Sequence, residues 1–299
     1  METRVVETLS VDISDYKKKS QLKEIWRRFR KNRAAMIGFV VFTLICLLLI
    51  FADLIVDYEK MAIEQDIGNR LASPGPGHIF GTDDKGRDMF ARILHGGRRS
   101  VGIALLITVS SCSIGLLLGG ISGYFGGRVD NLMMRILDVI MCIPGMLLTL
   151  ALMAALGKGI DKLMIALIIG SVPSFTRIVR SVVLKCVGNE YIEAAKANGA
   201  SHLRVILKYV LPNSIGPLIS SMTLSVSGNI LSIASMSFIG LGIVAPTPEW
   251  GSMLSEAKEF MRYYPYLCII PGVAILVTSL SISLMGDGLR DALDPRLKD

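Results

Sequence analysis

The chain has 299 residues, of which 52% are hydrophobic and only 19% are charged, and its net charge at pH 7 is +7. Soluble domains are typically about 25% charged, and the charges here are clustered between long apolar runs. This composition excludes an ordinary soluble domain and predicts an all-α polytopic membrane protein. Much of the positive excess sits in one block before the first apolar run, so we expect no nucleic-acid partner.

The first element is a basic segment, residues 1–33. Between residues 17 and 33, nine Lys and Arg stand against a single acid, Glu24, which is typical of a cytoplasmic flank under the positive-inside rule. An apolar stripe at helical spacing suits a helix that lies on an anionic membrane surface. Its members are Leu22, Ile25, Trp26 and Phe29. We expect no cleaved signal peptide, because this basic lead is too long and no clear cleavage site follows the first apolar run.

Six uncharged runs are candidates for membrane crossings, each of which needs about 20 apolar residues. They are 34–52, 100–127, 139–157, 163–176, 209–248 and 263–286. We expect the fourth to form a helix over 163–182, because Arg177 and Arg180 can reach the interface from its end. The fifth is expected to be a helix near 213–236, followed by non-helical chain. The prolines and glycines in this run disfavour a seventh crossing.

Six crossings place the N- and C-termini on one side of the membrane, and the basic N-terminal segment places that side in the cytoplasm. The predicted order is a first transmembrane helix at 34–56, an extracytoplasmic loop at 57–98, a core of five further helices at 99–287 and a cytoplasmic tail at 288–299. The segment 177–208 carries six basic and two acidic residues and falls in the cytoplasm, as the positive-inside rule requires. Residues 57–99, which add Arg99 to the outer loop, hold seven basic and seven acidic residues, so the rule says little there, and their arginine cluster is the weakest point of this topology. The cluster comprises Arg87, Arg92, Arg98 and Arg99.

Residues that carry catalytic or metal chemistry are sparse. The five cysteines form no CxxC pair and are expected to be small buried hydrophobes. His78, His95 and His202 are far apart and are expected in loops or the polar segment, so we expect no metal site. The sequence GKG at 157–159 lacks the earlier glycine and the Ser or Thr of a phosphate-binding loop. We therefore expect no enzyme activity and no cofactor bound by this chain.

A polar stretch, EYIEAAKANGASHLRVILKYVLPN at 190–213, interrupts the apolar chain. Asn189 and Ser201 can cap two short helices, and Gly199 between them can take the left-handed conformation. Pro212 is expected to start the next span. The predicted apolar stripe of the second helix comprises Leu203, Ile206, Leu207 and Val210.

This stretch resembles the cytoplasmic EAA loop of ABC importer permeases, in which E-A-A is followed by three residues, Gly and a later L-P. The matching residues are Glu193, Ala194, Ala195, Gly199, Leu211 and Pro212. In that family the loop, here 185–212, is the coupling helix that docks in a cleft of an ATP-hydrolysing subunit. We expect Glu190 and Arg204, on the same two helices, to take part in this contact. Many members have Ile two residues before the Leu, whereas this chain has Tyr209.

Two further stretches resemble the peptide and nickel permeases of that family. FGTDDKGRDMFARILHGGRRS at 80–100, with Ala91 where Ser is usual, precedes the second span, and SFIGLGIVAPTPEWGSML at 237–254 follows the fifth. Their candidate extracytoplasmic residues are Gly81, Thr82, Asp83, Gly86, Arg87, Asp88, Glu249 and Trp250. Arg87 and Asp88 could pair with a docked binding protein, or these residues could simply fix the loop fold. Trp250 and the tyrosines at 263, 264 and 266 fit an aromatic belt or a substrate contact.

The fifth span is rich in small and polar residues. Such residues let membrane helices pack closely, or they could line an aqueous path. The candidates for the path are Asn229, Ser225 and Ser232.

The resemblance covers about 20–298 and implies a type I, MetI-like ABC importer fold in the cell (plasma or inner) membrane. It implies the second permease subunit of an ATP-driven importer of di- or oligopeptides, with nickel or metal chelates as the alternative substrates. The implied partners are a homologous permease, two ATP-binding subunits that use ATP and Mg, an extracytoplasmic substrate-binding protein and membrane lipid. An ion-coupled secondary transporter is disfavoured, because the six runs supply the crossings without a buried charge.

Overall fold

The structure, a computed structural model, describes residues 21–243 and 245–293. Within these residues the chain is helical and contains no β-strand. The α-helices are α1 Gln21–Lys31, α2 Arg33–Ile50, α3 Ala52–Ile55, α4 Met89–Phe125, α5 Gly127–Cys142, α6 Gly145–Leu156, α7 Ile160–Val187, α8 Glu190–Ala197, α9 His202–Val205, α10 Ile215–Phe238, α11 Trp250–Ala257 and α12 Tyr266–Leu293. The predicted all-α membrane fold is confirmed, and parts of the predicted termini lie outside the described residues.

A seam of glycines holds α4 against α7. A Cβ atom on Gly115 would lie 2.5 Å from the Phe175 Cβ, and one on Gly119 would lie 2.5 Å from the Thr176 carbonyl oxygen. A Cβ on Gly123 would lie 2.8 Å from the Val183 Cβ. Glycine at every fourth residue lets two membrane helices touch through their backbones. Because residue numbers rise together along both helices, α4 and α7 run parallel.

The third predicted crossing is a bent pair of helices rather than one helix. The expectation of a single span over 139–157 is wrong, because α5 and α6 meet at an angle of 92°. The break falls at Ile143 and Pro144, where Ile143 is extended, as the residue before a proline prefers. Since α4 and α7 are parallel, the chain between them must return across the bundle. The bent pair therefore counts as one crossing, which brings the total to six. This total agrees with the predicted number.

The remaining spans alternate in direction. Helix α12 is antiparallel to both α2 and α10, and α10 is antiparallel to α4. The facing residues are Ala35 and Gly288, Gly38 and Ser281, Leu224 and Gly286, Ser227 and Ser279, Thr108 and Asn229, and Gly120 and Leu211. This order collects α1, α8, α9 and the end of α12 at one end of the bundle, and the long loop 57–88 and α11 at the other.

Several helix boundaries differ from the expected ones: α7 is longer than the predicted 163–182, and the predicted span 34–56 is divided between α2 and α3. Helix α4 begins at Met89, so part of the predicted loop 57–98 is helical, and α12 continues to Leu293 into the predicted tail. His95 therefore lies in a helix and not in a loop. The Asp88 side chain accepts a hydrogen bond of 2.9 Å from the Ala91 amide and caps α4 there. The start of the uncharged run at residue 100 did not reveal the start of α4, because the first turns of this helix carry charged residues. The partners of these residues lie elsewhere in the fold.

The amphipathic N-terminal helix is confirmed as α1, which contacts the chain itself. Phe29 is buried against Ala35 and Ala292, at the start of α2 and the end of α12. Trp26, on the same stripe, stays nearly half exposed. Helix α1 is thus joined to the bundle at the same end as α8.

Candidate functional site

Helix α8 presents most of the EAA residues at the surface. Glu190, Glu193 and Ala194 are exposed and Ala195 is half-buried, whereas Ile192 is fully buried. Ile192 packs in an apolar cluster with residues of α4, α7 and the segment after α9. One apolar side chain therefore anchors a short helix whose other faces remain free for a partner surface.

The turn between the two loop helices has the predicted glycine geometry. Gly199 has φ +77°, and no atom of the described chain lies within 4 Å of the position of an added Cβ. The Ser201 hydroxyl accepts a hydrogen bond of 3.4 Å from the Arg204 amide, so its predicted cap is confirmed. The predicted cap at Asn189 is wrong, because α8 starts there without a side-chain capping bond.

The second half of the loop joins α10 in one helical segment that changes type twice. After α9 the chain forms a π-helix at Ile206–Val210 and a 3-10 turn at Leu211–Ser214. A π-helix brings residues five apart onto one face, and the buried residues follow that spacing. They are Val205, Ile206, Val210 and Leu211. The predicted stripe is therefore wrong at Leu203 and Leu207, which are exposed, and Pro212 does not start a separate span.

The outer loop is closed by a buried cluster of charges. Arg87 and Arg92 are each only 1% exposed, and both guanidinium groups bind the Asp83 carboxylate. They also contact Glu256 of α11, at 3.0 Å from Arg87 and 2.9 Å from Arg92. Arg87 is thus paired within the chain, which favours the interpretation that this motif fixes the loop fold.

The pKa values of two neighbouring carboxyl groups of this cluster are shifted in opposite directions. Burial raises the pKa of Asp83, but the charges of Arg92 and Arg87 and the amides of Arg87 and Lys85 outweigh it and lower the pKa. The pKa of Asp84 is raised by its burial and by the charges of Asp83 and Glu256. The carboxylate oxygens of Asp83, Asp84 and Glu256 lie within 4.8 Å of one another. Three carboxylates so close together attract positive charge, and Arg87 and Arg92 already supply it.

The remaining motif residues build a tight turn at the start of α4. Gly81 and Gly86 have φ values of +74° and +78°. A Cβ atom on Gly86 would lie only 1.7 Å from the Asp66 carbonyl oxygen, so no side chain fits. The Thr82 hydroxyl accepts from the Ala72 amide at 2.8 Å. The other Asp88 oxygen lies 2.8 Å from His78 Nδ1, so Asp88 is also paired within the chain.

Glu249 and Trp250 tie α11 to α4. The fully buried Glu249 accepts hydrogen bonds of 2.9 Å from the Gly251 and Ser252 amides and one of 3.0 Å from the Ser100 hydroxyl. Trp250 packs on Gly97, and its indole N–H donates to the Ile93 carbonyl at 2.9 Å. Because Trp250 is 2% exposed, the aromatic-belt interpretation is wrong for it. Tyr263, by contrast, is 75% exposed.

The other two outer arginines of the predicted cluster also have partners. Arg98 donates to Asp53 at 2.8 Å and to the Leu49 and Ile50 carbonyls at the end of α2. Arg99 donates to the Tyr58 hydroxyl at 2.9 Å. Oxygen atoms of the loop and of the end of α2 thus bind the two arginines whose position the positive-inside rule could not explain.

The polar residues of α10 serve two purposes. On one side, the Asn229 amide donates to the Thr108 hydroxyl of α4 at 2.9 Å, and the Ser227 hydroxyl donates to the Ser279 carbonyl of α12 at 3.0 Å. These bonds hold helices together. On the other side, a cleft of about 370 Å³ opens between α6, α7 and α10. Its polar lining residues are Thr149, Ser171, Asn229, Ser232 and Ser235.

The three path candidates therefore separate. Ser232 lines the cleft and bonds its own helix at the Gly228 carbonyl. Asn229 reaches the cleft edge while its amide is used in packing. Ser225 is half-buried on another part of α10, outside the residues that line the cleft.

Several residues at these sites were missed by the sequence reasoning. Thr149 and Ser171 belong to the cleft, and Glu256 completes the charged cluster, but their partners are distant in sequence. Tyr124 contacts the coupling loop from the end of α4. One pattern in the sequence could have indicated the packing face of α4. Its glycines recur every fourth residue, and small residues four apart mark a face where membrane helices pack.

Residues 115–299 match the family of binding-protein-dependent transport system inner membrane components. Residues 20–74 match the N-terminal transmembrane domain of oligopeptide transport permease C. The chain belongs to the binding-protein-dependent transport permeases. It is therefore a multi-pass permease of the inner-membrane type, built to work with ATPase and binding-protein partners.

Named relatives of this permease agree along most of its length. It is 40% identical to the dipeptide transport system permease protein DppC of Alkalihalophilus pseudofirmus, over 93% of this chain and 91% of that protein. It is 40% identical to DppC of Haemophilus influenzae, over 94% of this chain and 96% of that protein. It is 41% identical to the glutathione transport system permease protein GsiD of Escherichia coli, over 92% and 90%.

A solved structure shows the same fold at low sequence identity. The inward-facing MetNI methionine ABC transporter matches with a TM-score of 0.56 and 17% identity, over 69% of this permease and 98% of that chain. The MetI-like fold is thereby confirmed.

Proposed function

We propose that this chain is one of two homologous permease subunits in an ATP-driven importer of di- or oligopeptides. The peptide class is supported by relatives at about 40% identity whose names carry dipeptide and glutathione transport. Two ATP-binding subunits would use ATP and Mg, and an extracytoplasmic binding protein would deliver the peptide. The basic N-terminal helix and the coupling loop share one end of the bundle, which we assign to the cytoplasm of the cell membrane.

The observation that carries this function is the exposed α8, held at a fixed place by one buried side chain. Glu190, Glu193 and Ala194 form a small, acidic surface that an ATPase cleft could approach closely. The chain enters α8 from the end of α7 and leaves it toward α10. Closure of the ATPase subunits would therefore displace two spans directly, since both are joined to the loop by a few residues.

The cleft beside α10 fits half of a peptide path. Its Thr149, Ser232 and Ser235 hydroxyls donate to carbonyls of their own helices, so with Ser171 they offer hydrogen-bond acceptors that the amides of any peptide backbone can use. Its volume is about 370 Å³, and the second permease would complete the path. Hydroxyl groups discriminate little among the side chains of different peptides, so we assign peptide selection to the binding protein.

Vesicles that contain both permeases and both ATPase subunits test the proposal. With the binding protein outside and ATP inside, we expect uptake of a radiolabelled dipeptide and no uptake when the ATPase subunits are omitted. Uptake driven by an ion gradient without ATPase subunits would overturn the importer assignment. Uptake of nickel but not of peptide would overturn the substrate class alone.

A further inference from the structure

Tyr124, near the end of α4, contacts both helices of the coupling loop. Its hydroxyl oxygen lies 2.7 Å from His202 Nδ1, at the start of α9. The Lys196 ammonium nitrogen of α8 lies 5.2 Å from the centroid of the Tyr124 ring, within the range of a cation–π contact. The tyrosine is only 9% exposed. One side chain outside the loop thus touches the segments on both sides of the Gly199 turn.

The end of α4 is itself joined to α7. Gly123, the residue before Tyr124, packs against Val183 so closely that an added Cβ would lie 2.8 Å from the valine Cβ. Gly119 and Gly115 continue the same contact toward the middle of the bundle. Two helices in such close backbone contact cannot slide past each other independently. A displacement that reaches Tyr124 therefore moves α4 and α7 together.

We propose that Tyr124 is a positioning residue that passes movement of the coupling loop into α4 through its hydrogen bond with His202. This inference rests on the proposed import function and extends it. Movement enters α7 and α10 through the continuous chain, whereas α4 is distant from the loop in sequence and follows through noncovalent contacts, with α7 along the glycine seam and with the loop at Tyr124. The Tyr124–His202 hydrogen bond joins α4 directly to the loop after the Gly199 turn, and Lys196 contacts the ring from the helix before that turn. The loop then drives three spans as one body.

A purely structural role for Tyr124 would give a different result from a coupling role. The ring belongs to the apolar cluster around Phe175 and Ile192, and Tyr124→Phe keeps that ring while removing only the hydroxyl. If the hydroxyl only filled space in the core, its loss would lower the thermal stability and leave the ratio of peptide imported to ATP hydrolysed unchanged.

The test is a double-mutant cycle in reconstituted vesicles with Tyr124→Phe, His202→Phe and the double variant. Each single change should leave ATP hydrolysis nearly intact and lower the peptide imported per ATP by about two- to tenfold, the range expected for one hydrogen bond. The double variant should be no worse than the worse single variant, because both remove the same contact. Tyr263→Phe removes an exposed hydroxyl at the other end of the bundle and should change nothing.

Two outcomes would overturn the inference. An unchanged ratio in Tyr124→Phe would show that the hydroxyl carries no movement. Additive losses would show that His202 acts elsewhere, for instance on the ATPase, and not through Tyr124. Absence of ATP-dependent uptake by the wild-type assembly would instead remove the proposed function, and with it this inference.

Discussion

Asp83 is the residue on which two buried arginines depend. Its carboxylate binds Arg87 and Arg92, each 1% exposed, in the turn that leads into α4. Removing one partner of a buried ion pair leaves an uncompensated charge in a poorly solvated place. The outer loop therefore depends more on this carboxylate than on any exposed charge of the motif.

Asp83→Asn should lower the free energy of unfolding by about 3–5 kcal/mol at pH 7, because the two arginines keep their contacts with Glu256 but one of their positive charges is left uncompensated. Because the pKa of Asp83 lies below the ordinary 3.8, this contribution is complete above about pH 4. It disappears as the pH falls through the lowered pKa. Thermal unfolding of the purified protein in detergent at several pH values measures both effects.

Asp84→Asn is the matched control at the next residue. The pKa of Asp84 is raised, so its charge opposes folding as the pH rises from 3.8 through the raised value. Its loss should leave the stability at pH 7 unchanged or slightly higher. Equal destabilisation by both changes would contradict this account of the cluster.

Glu193 is the exposed acid with which the EAA motif begins. Glu193→Lys reverses a charge on the proposed docking face without touching the buried Ile192 anchor. We expect weaker recovery of the ATPase subunits when the permease is purified by affinity. Glu64→Lys makes the same change at an exposed site in the outer loop and should leave recovery normal. Full recovery with Glu193→Lys would refute the contact.

At the scale of elements, the pairing of α4 with α7 organises the bundle. Both helices run in the same direction with glycines between them, so the bent pair α5 and α6 must carry the chain back. The bend itself follows from Pro144. The same pairing gives the coupling loop a rigid base, because α7 leads directly into it.

Gly119→Ala tests this pairing against a matched substitution in the same helix. The added Cβ would lie 2.5 Å from the Thr176 carbonyl oxygen, and we expect the misfit to lower stability by about 1–3 kcal/mol. Gly102→Ala adds the same atom where no described atom lies within 4 Å, so it should be neutral or slightly stabilising. Melting temperatures of the two variants decide the matter, and equal values would exclude a tight seam at Gly119.

At the scale of the whole molecule, the sequence predicted what repeats locally and missed what depends on distant partners. The apolar runs, the Gly199 turn and the Ser201 cap were readable, because each depends on neighbouring residues. The buried pairing of Arg92 with Glu256 was not, since an isolated arginine near a membrane gives no sign of its partner. The buried face after α9 was missed because the π-helix changes the spacing from the α-helical period.

The central claim is that the loop around Gly199 transmits ATPase movement as a rigid unit. Gly199 has φ +77°, where a β-branched residue costs about 1–2 kcal/mol per residue. The added side chain would meet open space within the described fold, so Gly199→Val acts on the turn and not by a clash. Gly188→Val, at an ordinary φ of −85° and also in open space, is its control.

The most direct measurement is the number of peptides imported per ATP hydrolysed by reconstituted vesicles. Gly199→Val should insert and assemble normally, hydrolyse ATP and import about five- to thirtyfold less peptide per ATP, in proportion to the strained turn. Gly188→Val should keep the wild-type ratio. A wild-type ratio in Gly199→Val would contradict the account, because the loop would then transmit movement without a defined turn.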